Sequence, residues 1–332
     1  AALADYLATD AARQAATVSL IADVADGYLR LREFDERIAL TRKAIATREE
    51  SFRIFTRRFE VGATSQLDVT EVETLLLQAQ ALGTQLEQAR AIEAHGLTLL
   101  VGSPVDLPPG QGSIRELNVL HPLRAGLPAE LLTCRPDIVA AEHQLRRAHA
   151  NVGAARAAFL PRVTLTGSLG TASAGLDGLF RSGSLAWTYG PSLSVPIFDA
   201  GRNANNLDLA EVRRNLEVAA YEKTVQNAFR DVADALSSQQ WLTEQVKIQE
   251  QTLGVQTERA RLAKRRYDSG SASFIEVLDA ERELLSAEQQ VVNTRRELLS
   301  SRVRLYAALG GGAQADVSAS PVARDPSQRE GI

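Results

Sequence analysis

The stretch Arg57-Arg58-Phe59-Glu60-Val61-Gly62-Ala63-Thr64-Ser65-Gln66-Leu67-Asp68-Val69 returns 208 residues later as Arg265-Arg266-Tyr267-Asp268-Ser269-Gly270-Ser271-Ala272-Ser273-Phe274-Ile275-Glu276-Val277. The offset holds without a gap: upstream, Asp23-Val24-Ala25-Asp26 matches Asp231-Val232-Ala233-Asp234, and downstream Leu97 and Gly102 match Leu305 and Gly310. Generic helical similarity does not keep one register over such a distance, so the chain reads as an internal two-fold repeat. Each copy carries the same punctuation. Gly270 is placed as the left-handed residue that ends one helix, and Ser273 with Glu276 forms the Ser-x-x-Glu capping box that opens the next; Gly62, Ser65 and Asp68 repeat the design. These are tight tips of long helical hairpins, kept twice either for a shared structural need or for a shared docking role.

Outward from the tips, proline sets the limits. All eleven prolines lie between Pro104 and Pro196 or in the last dozen residues, so two stretches of more than a hundred residues are free to be helix. From Gly201 to Gly270 a helix of about 65 residues would be roughly 100 Å long, too long to fold into a compact globule. The returning helix, from Phe274 to about Leu309, is roughly 54 Å. A shorter helix opens at Pro136 with Asp137 in its first turn and stops before Pro161. The two short helices, stacked end to end, would match the long one. The returning helix has apolar columns at Val277, Leu284, Val291, Leu298, Leu305 and at Leu278, Leu285, Val292, Leu299, Tyr306, beside a small-residue column at Ala280, Ala287, Thr294, Ser301, Ala308. That is broader than one coiled-coil seam, and fits a helix between two neighbours, in a sheet or tube of helices or in a solid bundle.

After Pro161 the period changes to two. Val163, Leu165, Gly167 and Leu169 alternate with Thr164, Thr166, Ser168 and Gly170, and a second run puts Leu185, Trp187, Tyr189, Leu193, Val195 and Ile197 on one face with Ala186, Thr188, Gly190, Ser192 and Ser194 on the other. The polar face is small and uncharged. The pair is a hairpin, either a soluble one covering a core or a membrane β-barrel hairpin with apolar residues toward lipid.

Several classes of function fall away. The net charge of −4 is spread without blocks, so no basic face for nucleic acid exists. No window of 18 apolar residues offers a transmembrane helix, which leaves membrane strands open. No Gly-Lys dipeptide, G-x-G-x-x-G or G-x-S-x-G is present, so phosphate-loop, dinucleotide and serine-hydrolase chemistry have no carrier. His95, His121, His143 and His149 lack metal-ligand spacing, Cys134 stands alone, and no metal or cofactor is expected. The carboxylate pairs Asp23 with Asp26 and Glu276 with Asp279 lack any accompanying nucleophile or cleft. No enzyme is expected. Methionine is absent and the chain opens on Ala1, so more sequence is expected upstream, including any leader or lipid-anchor cysteine.

Motifs of several kinds now line up. They are Arg135-Pro136-Asp137-Ile138, then Gly153-Ala154-Ala155-Arg156-Ala157-Ala158-Phe159-Leu160-Pro161, the strand end Pro196-Ile197-Phe198-Asp199-Ala200-Gly201, the two tips, and Leu305-Tyr306-Ala307-Ala308-Leu309-Gly310-Gly311-Gly312. In this order they resemble the outer membrane factors of the TolC/OprM type, in their OprM-like lipoprotein branch, over residues 1 to about 312. The resemblance implies a mainly α chain with a small β part, whose long antiparallel hairpins build a periplasmic α-barrel in a homotrimer and whose β-hairpin contributes to a transmembrane β-barrel. It implies residues 1–102 as the first-repeat hairpin, 103–135 as an equatorial connector, 136–160 as the short helix, 161–199 as the barrel hairpin, 200–312 as the second-repeat hairpin and 313–332 as a flexible tail. Two strands per chain instead of four, and a first repeat beginning at the equivalent of Leu209, imply that about 75 residues precede Ala1 in the natural protein.

Function follows from the same resemblance: a passive exit duct in the outer membrane, with most of the chain in the periplasm. Its partners would be a periplasmic adaptor (membrane fusion protein), an inner membrane pump of the RND type and outer membrane lipid. Carried over by position, the pore constriction falls on Ile275, Glu276 and Asp279 with first-repeat equivalents Leu67, Asp68 and Glu71, and Asp279 is the more trusted pore-facing carboxylate. Adaptor docking falls on Gly62, Ser65, Gly270 and Ser273. The lipid face falls on Val163, Leu165, Leu169, Leu185, Trp187, Tyr189, Leu193 and Val195. The competing class is a soluble periplasmic coiled-coil scaffold without a pore.

Overall fold

The computed structural model describes residues 1–104, 113–114, 117, 128–180 and 182–311. Most of the connector proposed at 103–135, His121 and the tail at 313–332 lie outside the described residues. The elements run α1 (Ala2–Glu60), α2 (Gln66–Val101), α3 (Pro128–Cys134), α4 (Pro136–Ala157), β1 (Arg162–Thr171), β2 (Leu185–Ser194), α5 (Arg202–Asp268) and α6 (Phe274–Ala308). The described residues are mainly helical, with one two-stranded antiparallel sheet among them. None of the described helices is long and apolar enough to cross a membrane.

Residues 13–136 and 227–332 form one unit. Within it α6 is the central element: it buries fifteen residues, among them the small-residue column Ala280, Ala287, Thr294, Ser301 and Ala308, whereas the much longer α5 buries four. α6 lies between α1 and α5. On the α1 side, Glu33 is buried and held by Arg296 at 2.7 Å and Arg37 at 2.8 Å, while Gln289 accepts from Arg37 Nε at 2.6 Å and donates to Thr41 Oγ1 at 3.0 Å. Leu29 packs with Val292, Leu299 and Val303 above that polar ladder. On the α5 side, Arg295 donates to Glu250 at 2.6 Å. α2 packs along the other flank of α1, where Arg48 donates to the Leu75 carbonyl at 2.8 Å and Arg90 to Asp35 at 2.6 Å.

The far end of α6 meets the residue that precedes α4. Arg135 is buried and its Nη1 reaches the Ala308 carbonyl at 3.1 Å, an acceptor that the end of α6 leaves open, and the Ala228 carbonyl inside α5 at 3.5 Å. This gives the Arg135-Pro136 motif a structural task. Gly310 has φ +90°, and a Cβ there would stand 2.7 Å from the Cys134 carbonyl oxygen. The glycine run after α6 is thus set by close approach as well as by backbone sign.

Residues 1–12 and 137–226 form the other unit. Arg147 joins Asp5 at 2.6 Å, and Arg156 joins Glu211 at 3.0 Å, across α4 and its neighbours. β1 and β2 pair in the register Val163↔Leu193, Leu165↔Pro191, Gly167↔Tyr189, Leu169↔Trp187 and Thr171↔Leu185. Both strands are exposed along all ten residues. The expected second strand reached Ile197; it ends at Ser194. Pro196 lacks the N–H a ladder needs, and it restrains Val195, so the chain leaves the sheet there. Asp199 then accepts from the backbone N–H of Gly201 at 3.1 Å and of Asn203 at 2.9 Å, which caps the start of α5.

Candidate functional site

The two tips close in the same way. Gly62 (φ +75°) and Gly270 (φ +72°) are left-handed; Gly62 N donates to Phe59 O at 2.8 Å and Ala63 N to Arg58 O at 2.7 Å, while Gly270 N donates to Tyr267 O at 2.8 Å and Ser271 N to Arg266 O at 2.9 Å. These paired bonds satisfy the last carbonyls of α1 and α5. The helix starts that follow differ. At the first tip the capping box forms: Asp68 N donates to Ser65 Oγ at 3.2 Å, Ser65 N to Asp68 Oδ2 at 3.0 Å, and Thr64 Oγ1 to the same carboxylate at 2.7 Å. The Thr64 hydroxyl first, then the Ser65 hydroxyl and backbone N–H, hold the Asp68 carboxyl below the usual aspartate range.

The second tip corrects the expected capping box at Ser273. No side-chain cap bond forms there, and the Glu276 carboxylate pairs with the Arg266 guanidinium of α5 instead. A charge-assisted bond to a guanidinium is stronger than one to a neutral backbone N–H, and the antiparallel neighbour brings Arg266 within reach. Asp279, one turn on, accepts from Arg259 of α5 at 2.9 Å and also from Arg282 on its own helix. Ile275 and Asp279 share one open stripe of α6, with Ile275 49 % exposed. Of the first-repeat equivalents, Leu67 is exposed, Asp68 is spent in its cap, and Glu71 keeps Oε2 buried without a hydrogen-bond partner.

Beneath the tips lies an aromatic joint absent from the expected site. Phe274, the first residue of α6, stands 4.3 Å from Phe55 of α1 and 4.9 Å from Tyr267 of α5, ring centre to ring centre, over Val72 and Leu278. Arg58 donates to the Tyr267 hydroxyl and lies 5.6 Å from the Phe55 ring centre. The arginines Arg259, Arg266 and Arg282 and this joint were not singled out in the sequence. Arg282 was findable from its i, i+3 spacing to Asp279; the others depend on which residues the hairpin sets opposite each other.

The barrel residues stand together. Val163, Leu165, Leu169, Leu185, Trp187, Tyr189 and Leu193 occupy one face of the sheet, and Val195 follows just past its end. On the opposite face Thr164 and Ser192 hydroxyls meet at 2.6 Å and Ser168 and Thr188 at 2.7 Å, so the polar groups satisfy one another. Trp187 and Tyr189 stack at 6.0 Å. Among the described residues no cluster of His, Cys, Asp or Glu is arranged to hold a metal.

Long helical hairpins with paired tips and, in the same chain, a β-hairpin that exposes an apolar face are the elements of a TolC-like α-helical-barrel fold. The outer membrane efflux protein family model matches residues 1–103 and 127–311, and the chain belongs to that family. It is 44 % identical over 313 residues to the solvent efflux pump outer membrane protein SrpC of Pseudomonas putida, covering 94 % of this chain and 66 % of that protein. It is 42 % identical over 317 residues to the outer membrane protein OprJ of Pseudomonas aeruginosa, covering 94 % of this chain and 65 % of OprJ. Among solved structures, the open state of the Neisseria gonorrhoeae MtrE outer membrane channel superposes with a TM-score of 0.84 at 38 % identity, over 94 % of this chain and 70 % of MtrE. The chain thus spans just under two thirds of the length of these curated relatives.

Proposed function

We propose that the chain is a subunit of a homotrimeric outer membrane exit duct that receives cargo from a periplasmic adaptor and an RND-type inner membrane pump. The observation that carries this reading is the β-hairpin. Two ten-residue strands stand wholly exposed with a row of large apolar side chains on one face and mutually bonded hydroxyls on the other. In water that face would be a strong liability for aggregation; against lipid it is the ordinary outer face of a membrane barrel. The duct moves cargo without chemistry of its own, and the two hairpins act as copies of one unit at 208-residue spacing. Gly62, Ser65, Gly270 and Ser273 form the tips that the adaptor would touch.

At the constriction, Ile275 and Asp279 would face the lumen, with Asp279 held by Arg259 and Arg282 while the tip is closed. Symmetry-related copies would bring these ion pairs near one another, and removing Asp279 takes the counter-charge from Arg259 and leaves Arg282 with Glu283 alone, at 3.4 Å. Planar-bilayer recordings of the purified full-length protein test the reading. Wild type should conduct weakly and favour cations; Asp279→Ala should raise conductance several-fold and reduce that preference. Silence of both proteins in the bilayer would overturn the duct.

A further inference from the structure

The strand positions of the β-hairpin that alternate with the apolar row share one face, which the ladder pairs as Gly170↔Ala186, Ser168↔Thr188, Thr166↔Gly190, Thr164↔Ser192 and Arg162↔Ser194. Nine of these ten residues are Gly, Ala, Ser or Thr. Four of their hydroxyls bond in pairs, Thr164 with Ser192 and Ser168 with Thr188. Arg162 breaks the pattern as the one charged residue in either strand. It is exposed, and among the described residues no carboxylate pairs with its guanidinium.

The acids nearby are engaged elsewhere. Asp199 accepts from the backbone N–H groups of Gly201 and Asn203, and Glu211 holds Arg156 at 3.0 Å. By contrast the three arginines of α4 each reach a carboxylate, Arg146 at Glu142, Arg147 at Asp5 and Arg156 at Glu211. A guanidinium stays charged at any physiological pH, so Arg162 is a permanent and unanswered positive charge. Its place is as particular as its charge. Asn203 donates its side-chain amide to the Ala158 carbonyl at 3.4 Å, tying together the two ends of chain that leave the sheet for α4 and α5. Arg162 therefore stands on the polar face at the helix-side end of the hairpin, opposite the end that carries the loop. Where that face lines a lumen, this end is the mouth by which cargo passes from the helices into the strands.

A wall charge acts on passing solutes over about 8 Å in physiological salt, and low-dielectric walls focus its field. Coulomb's law in water at that distance gives about a two-fold change in the local concentration of a monovalent ion per arginine. Two other duties fit less well. A lipid anchor would belong on the face of Val163 and Leu165, and a charge that only discourages strands from aggregating would leave permeation unchanged.

We infer that Arg162 sets the charge preference of the barrel mouth, drawing in anionic solutes such as carboxylates, sulfonates and phosphates and holding cations back. It is a selectivity residue that opposes the cation preference assigned to Asp279. The inference rests on the duct reading, which alone makes the polar face a lumen.

Reversal potentials of the full-length protein in planar bilayers across a KCl gradient test it, in an Asp279→Ala background whose constriction contributes less to selectivity. At about 0.1 M salt Arg162→Gln should raise the potassium-to-chloride permeability ratio about two-fold. Arg162→Glu should raise it further, and Arg162→Lys should leave it unchanged. Ser194→Glu, which sets a carboxylate directly opposite the intact arginine, should raise the ratio as Arg162→Gln does. At about 1 M salt, where screening shortens to about 3 Å, the differences should collapse. A conducting protein whose ratio ignores the charge at position 162, or a shift that persists in concentrated salt, overturns the inference and leaves the duct standing. A protein that never conducts, with Arg162 or without it, overturns both.

Discussion

At the scale of single residues, the tips and the α6 end separate two demands on glycine. Gly62 and Gly270 have positive φ with open space where a Cβ would go, whereas Gly310 combines positive φ with a carbonyl oxygen 2.7 Å away. Gly62→Ala and Gly270→Ala should each cost about 1–2 kcal/mol in urea unfolding, the price of a left-handed L-residue. Gly310→Ala should cost more, because Cys134 must also move. Asp68 adds a pH dependence with a defined sign. Its carboxyl is held below the ordinary aspartate range by Thr64 and Ser65, so its contribution is complete above that range and is lost as pH falls through the depressed value. Asp68→Asn should therefore melt below wild type at pH 7, with the gap closing on acidification; a gap independent of pH would show that the charge is irrelevant. The glycines were legible in the sequence because backbone sign is a local property. The partner of Glu276 was not, because Arg266 competes for it from another helix and local spacing is silent about such competition.

At the scale of elements, the joint made by Phe55, Tyr267 and Phe274 locks three helices just behind the tips. Phe274→Ala deletes the shared ring of both contacts and should cost about 3 kcal/mol of local stability. Because the loss lies at one end of long helices, hydrogen exchange should speed up around residues 52–60 and 267–280 while amides near Leu299 stay protected. Uniform acceleration along α6 would contradict a local joint. Helix extents were readable in advance, since proline and glycine bound them: α5 was expected at about 65 residues from Gly201 to Gly270 and runs from Arg202 to Asp268. The strand end was misread because the alternation continues to Ile197 in side-chain pattern after Pro196 has ended the backbone ladder. Which helix faces which was legible only in outline. The small-residue column of α6 indicated two neighbours, but the ladder of Glu33, Arg37, Gln289 and Arg296 joins residues some 250 apart, and no local period encodes that pairing.

At the scale of the whole molecule, the chain divides its surface chemistry by location. On the β-hairpin large apolar side chains are exposed in a row along one face, whereas those exposed on α5 from Trp241 to Leu262 stand one per two helical turns, a spacing suited to another helix. The hairpin face suits a continuous apolar solvent. That difference predicts opposite responses to the same substitution at adjacent positions. Leu165 and Thr166 lie side by side near the middle of β1, and the pleat sends them to opposite faces. Leu165→Arg places a guanidinium on the apolar face and should cost about 2–4 kcal/mol of stability in a bilayer, read by urea unfolding from lipid vesicles. Thr166→Arg places the same charge on the face where hydroxyls bond one another; it should leave unfolding nearly unchanged and shift the reversal potential of the open duct toward anions. In a soluble scaffold the hairpin would face water on both sides, and both variants should then be equally harmless. Equal tolerance of Leu165→Arg and Thr166→Arg in vesicles would therefore remove the membrane assignment of the hairpin. A penalty confined to Leu165→Arg would fix which face meets lipid, and so which way each strand of the barrel is turned.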